Sequence, residues 1–133
     1  GESLLIDSGN VGAGAVRDAS RIVSAAKNAG LSRIDHAITT HWHGDHYGGL
    51  AEVAARIPIA DFVDHGANIQ PTEATTAFLT DVYPGLYARA THTVVKAGDV
   101  IPLGAVTVRV VSSAGQVLKT PLVKKAQPFD GIL

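Results

Sequence analysis

An α/β fold is predicted by two observations. Short β-branched runs alternate along the chain with stretches of helical period, and clusters of Gly, Pro and Asp separate them. A third observation places a site in that fold. Three histidines and an aspartate fall within the run His41-Trp42-His43-Gly44-Asp45-His46, directly after one of the strand-like segments. Open α/β folds tend to place their sites at the carboxyl ends of strands.

The elements follow in order. Leu4-Leu5-Ile6 is an extended run closed by Asp7-Ser8-Gly9. Val16, Ala19, Ile22, Val23 and Ala26 recur at helical spacing, which predicts a helix from about residue 13 that Gly30 ends. Ile34 to Thr40 reads as a buried strand. After the histidine run, Leu50, Val53, Ala54 and Ile57 predict a helix that Pro58 stops, with Asp45 as its cap. Ile59 to Val63 is a strand leading into Asp64-His65-Gly66. Pro71 opens a helix running to about Leu86, with Ala74, Ala77, Phe78 and Val82 on its apolar side. Thr93 to Lys96, Val100 to Leu103 and Val106 to Val111 are strands, divided by turns at Gly98-Asp99 and Gly104. Periodicity stops near Thr120. One domain over 1–119 and an irregular tail over 120–133 are therefore expected, with Lys119, Lys124 and Lys125 as a solvated basic cluster.

Composition narrows the function classes. The 133 residues allow one domain. The chain is 46% hydrophobic and 17% charged, with net charge -1, which gives no reason to expect a nucleic acid or an anionic membrane as partner. The chain has no cysteine, which excludes disulfides and thiolate metal sites. No signal peptide and no bilayer-length apolar run stand out, and the compartment stays open. The chain has no methionine, so it is expected not to begin at an initiator.

Three imidazoles and a carboxylate so close together exceed what packing requires. Neutral imidazole is the commonest metal-binding side chain, and zinc takes both imidazole nitrogen and carboxylate oxygen. In an extended stretch, His41 and His43 point to one side and Trp42 to the other, where it packs and stiffens the loop. Gly44 permits a sharp turn that redirects Asp45 and His46 toward a second ion. Other residues divide between roles. His65, after a strand end, either lines the cleft or is an ordinary loop residue. His36 reads as a hydrogen-bonded structural histidine and His92 as a surface one. Tyr47 and Tyr83 are read as packing residues, with donation to a substrate oxyanion as the alternative.

The run His41-Trp42-His43-Gly44-Asp45-His46 resembles the His-x-His-x-Asp-His signature of the metallo-β-lactamase superfamily. Leu4 to Gly9 resembles the strand and turn that precede that signature, and Gly98 to Gly104 with Val106 to Val111 resembles the later strand pair. The resemblance implies a partial αββα sandwich, a mixed β-sheet with flanking helices. It implies that His41 and His43 hold a first metal and Asp45 and His46 a second, with Asp45 also beside the nucleophilic water and Asp7 in support. Zinc, as one or two ions, is the implied metal, with iron or manganese as alternatives. The implied activity is hydrolysis of a small-molecule ester, lactam or phosphodiester by a metal-activated water. Where the family carries a further histidine this chain has Gln116, a poor zinc ligand, which together with His65 becomes a candidate for the substrate pocket. No histidine follows His92, and Asp130 is the only carboxylate near the end. The expectation is the amino-terminal half of a longer metallo-hydrolase, weak or inactive as an isolated chain. The alternative is a non-catalytic metal-binding or structural fragment with an incomplete ligand set. A half-fold would leave Val94, Val100, Ile101, Val106, Val108 and Val110 short of cover, so self-association is expected.

Overall fold

The computed structural model describes residues 1–120. Strands β1 (Leu4–Ile6), β2 (Ile34–Ile38), β3 (Ile59–Asp64) and β4 (Thr91–Val94) form one parallel sheet whose order follows the chain. Parallel neighbours require crossover connections, and helical segments occupy each of the three intervals. Leu5 pairs with Ala37, Ala37 with Phe62, and Phe62 with His92, so these four residues line one side of the sheet. Helix α1 (Ala13–Asn28) lays Ala19, Val23 and Ala26 against that side. The helix starts where expected and buries the expected face, except that Val16, counted on that face, is 52% exposed.

The helix expected after the histidine run is instead two short ones, α2 (Gly44–Tyr47) and α3 (Leu50–Ala54). Gly48 lies between them, and a Cβ there would fall on the peptide joining Asn10 to Val11. The β1–α1 connection is pressed directly onto this break, held by Gly48 N–H donating to Gly9 O at 2.9 Å. Asp45 is not the cap. His43 takes that position and Asp45 falls in the first turn of α2. The helix expected from Pro71 begins after a Thr72 cap, whose Oγ1 accepts from Thr75 N–H at 3.1 Å. It runs through α4 (Glu73–Ala77), a wide π-helical turn (Phe78–Val82) and α5 (Tyr83–Tyr87). Pro84 lacks the N–H that a regular turn would use, which accounts for the wide turn just before it.

The other side of the sheet meets β5 (Val100–Leu103) and β6 (Val106–Arg109), an antiparallel hairpin with the boundaries expected of β5. Ile101 packs there with Val63 and Val95, and Ile38, Val108 and Val110 are partly covered. Val94, Val100 and Val106 keep about half or more of their surface in solvent. Two short strands, β7 (Ser112–Ser113) and β8 (Gln116–Val117), follow the hairpin as an antiparallel pair. Strand β4 lies two residues earlier than expected because Thr91 and His92 pair with Asp61 and Phe62. The fold is a mixed α/β one, a parallel sheet with flanking helices. Apart from Thr120, the expected tail lies outside the described residues, Lys124, Lys125 and Asp130 included. Among the described residues no helix is long and apolar enough to cross a membrane.

Candidate metal centre

The parallel register brings Ile6, Ile38 and Val63 side by side, so β1, β2 and β3 all end at one edge. Asp7, the Thr39–His46 loop and Asp64 therefore meet there. Asp7 adopts a left-handed backbone, φ 59°, which Asp tolerates better than most residues. This turns its carboxylate onto the loop. It accepts from Thr40 N–H at 2.8 Å, from Thr40 Oγ1 at 2.8 Å and from His46 Nδ1 at 2.7 Å. Ser8 fixes the same helix from below, its N–H and Oγ both donating to His46 O.

Three imidazoles are gathered by this arrangement. The ring centre of His41 lies 3.7 Å from that of His46 and 4.5 Å from that of His43. Burial, and then the neighbouring His46 and His43 rings, push the His41 imidazole below its ordinary value, toward the neutral form that binds metals. With Nδ1–H committed to Asp7, His46 keeps Nε2 for another partner, and Asp45 Oδ2 stands 3.6 Å from it. A histidine that ligates a metal through one nitrogen commonly donates the other N–H to a carboxylate, so the His46–Asp7 pair fits a metal ligand. His43 is exposed, and its Nε2–H donates to Gln70 Oε1 at 2.7 Å. Among the described residues no three His, Asp or Glu side chains converge as a ready-made metal site. The donor chemistry suits a divalent ion, and with Nε2–H held by Gln70, His43 keeps Nδ1 as its free nitrogen.

A cleft of about 270 Å³ opens beside the loop. The His41–His43 segment lines it together with His65, Asn68 and Gln70 and the Ala114–Gly115 turn. His65 Nδ1 is buried without a hydrogen-bond partner. Gln116 is exposed in β8, paired with Ser113, next to the two residues of its turn that line the cleft. Trp42 is 2% exposed and packs beneath the loop, as do Tyr47 and Tyr83. His36 Nδ1 pairs with Asp61 Oδ2 at 3.0 Å on the opposite side of the sheet. His92 is exposed, as expected, yet its Nε2 reaches inward to Asp64. Sequence reasoning missed Thr40, Gln70 and Asp64. An Asp at a strand end two residues before Gly is an Asx-turn signal that marks Asp64. Nothing local marks Gln70, whose partner lies 27 positions away.

An α/β protein with imidazoles and carboxylates gathered at the carboxyl edge of a parallel sheet is the class that fold and site define. A family model described as the metallo-beta-lactamase superfamily matches residues 1–116, and the chain belongs to that superfamily. Over 87 residues it is 36% identical to a Coenzyme F420H(2) oxidase of Methanothermobacter marburgensis, covering 65% of this chain and 20% of the relative. Over 101 residues it is 29% identical to a Hydroxyacylglutathione hydrolase of Rhodopseudomonas palustris, covering 76% of this chain and 32% of the relative. The chain thus spans about a fifth to a third of the length of these relatives.

Proposed function

We propose that this chain carries the metal-binding loop of a metal-dependent hydrolase acting on a small-molecule ester, lactam or phosphodiester. His41, His43, Asp45 and His46 would hold the metal, with zinc first to be tried and iron or manganese next. A bound divalent ion supplies hydroxide near neutral pH by lowering the pKa of its water to about 7. The chain's own residues prepare that chemistry. Asp7 fixes the tautomer and direction of His46 through the 2.7 Å bond, the single observation that most supports this reading. Thr40 holds Asp7 in turn. Asp45, largely exposed beside His46 Nε2, is placed to orient an attacking water or accept its proton. Trp42 seals the loop from below. Membership of the superfamily and the relative named as a hydrolase support the same reading.

One observation favours a second reading, a metal-binding or structural unit without turnover: no three donors converge among the described residues. Metal analysis after dialysis against zinc separates the readings from a protein that holds no metal. Zinc is expected to remain with the wild type and to be lost from the His41→Ala/His43→Ala double variant. Equal retention by both would overturn the ligand assignment. Chelator-sensitive turnover of a generic ester, lactam or phosphodiester by the zinc-loaded full-length parent would then favour hydrolysis, and its absence the second reading. Iron retained in preference to zinc would favour the chemistry named in the oxidase relative.

A further inference from the structure

We propose that Asp64 is a positioning residue for the histidine loop, acting through Gly66 and Trp42; the consequence for metal rests on the reading of that loop given above. Asp64 ends β3 and is 2% exposed. A carboxylate so buried is costly unless its oxygens are satisfied. Three donors from three places satisfy it. Tyr83 OH, from α5, donates to Oδ2 at 2.7 Å, and His92 Nε2, from β4, donates to the same oxygen at 2.7 Å. Gly66 N–H donates to Oδ1 at 2.6 Å.

The third bond connects the carboxylate to the site. Gly66 has φ +85°, a left-handed backbone that favours glycine, and a Cβ there would press on Val94 Cγ1 at 3.1 Å. Held in this turn, Gly66 offers its carbonyl to Trp42 Nε1, which donates at 2.8 Å. Trp42 is the peptide neighbour of both His41 and His43. Its ring also meets that of Tyr83 edge-on, 5.1 Å between centres. Asp64, Gly66, Trp42 and Tyr83 therefore form a closed circuit, and Tyr83 enters it twice, by its hydroxyl and by its ring. A buried polar network that is fully satisfied fixes one arrangement where apolar packing alone would permit several. None of the four is among the residues assigned to hold metal, yet the backbone of two of those residues hangs on the circuit. Trp42 and His65, whose ring centres lie 6.2 Å apart and which both line the cleft, are set by the same turn.

The experiment uses the full chain and its single tryptophan, so emission reports on Trp42 alone. Asp64→Asn keeps the shape but opposes an amide donor to one of the incoming donors. With far-UV circular dichroism unchanged, its Trp42 emission is expected to move to longer wavelength and to be quenched more readily by acrylamide. Cobalt(II) affinity is expected to fall about tenfold, the lower end for loss of a residue supporting a ligand, with altered cobalt absorption bands. Trp42→Phe, which keeps a ring and removes the donor, should match that loss, and the double variant should add nothing further. Wild-type emission and quenching in Asp64→Asn, or losses that multiply in the double variant, would overturn the proposal. If Asp64→Asn fails to fold, Tyr83→Phe and His92→Gln each remove one donor and are judged by the same readouts. If the wild type takes up no cobalt, the metal reading fails by itself and the Trp42 readouts alone decide whether Asp64 positions the loop.

Discussion

The helix-covered side of the parallel sheet buries Phe62 at 1% exposure among Val53, Leu50, Ala19, Tyr47 and Tyr83, whereas the opposite side is met by one hairpin that buries Val63, Val95 and Ile101. The two sides also treat the site differently. The loop from His41 to His46 grows out of the thick side, with Trp42 and Tyr47 sunk into it and Asp7, Ser8 and Thr40 tied to it. The turn at Ala114-Gly115, which also lines the cleft, belongs to the thin side. Its support is Ser113 Oγ donating to Val95 O and Leu118 N–H donating to Val111 O. The histidine side of the cleft is therefore held by core packing, and the Ala114–Gly115 turn by a few hydrogen bonds.

Stability measurements can break or sharpen this contrast. Phe62→Ala is expected to cost about 3–5 kcal/mol, the range for a large buried aromatic, read as a shift in the urea midpoint. Ile101→Ala should cost about 2 kcal/mol, the low end for such a truncation, because Ile38, Val108 and Val110 around it are only partly buried and can close the gap. An equal cost at the two positions would show that the sides are held alike. A smaller effect concerns alkaline pH. Burial, and then the Asp64 charge, raise the Tyr83 phenol above its ordinary value of 10.0. The folded chain keeps this proton while the unfolded chain loses it, so the contribution is complete below pH 10.0 and declines as pH rises beyond it. Tyr83→Phe should flatten that decline in a pH series of urea midpoints, and an unchanged slope would refute the account. The smallest effect on stability is expected from Val106→Lys, within about 0.5 kcal/mol at an exposed position. The same change should reduce concentration-dependent association in sedimentation, and wild-type chain that remains monomeric at high concentration would contradict the expected self-association.

Much of the thick side was legible because its signals are local. Val16 to Ala26 repeat at helical spacing, and Ile59 to Val63 is apolar at every position but Asp61. The His41–His46 signature was legible for the same reason. The misread points are those where a distant contact overrides local pattern. Leu50 and Val53 have helical spacing, but the Asn10–Val11 peptide packed on Gly48 splits the helix they belong to. Thr93 to Lys96 reads as a strand on propensity, while pairing with Asp61 and Phe62 moves the strand to Thr91. The Pro84 turn widens a helix whose apolar face continues through it. In the site, Asp7 and His46 are 39 positions apart and Asp64 and His92 are 28 apart, distances over which spacing carries no signal.

The sheet order has a consequence for how the chain comes together. Each strand adds beside the one made just before it, so every pairing in the sheet can form with the smallest loop the crossover allows, and loop closure grows costly only slowly with length. A chain emerging from the ribosome presents its amino-terminal elements first. Asp7 can clasp His46 once α2 exists, before β3 is made, whereas Asp64 must wait for Tyr83 and for His92 in β4. The histidine loop would then be oriented early and locked late, and pulse-labelled hydrogen exchange should find the β1 and β2 amides protected no later than those of β4.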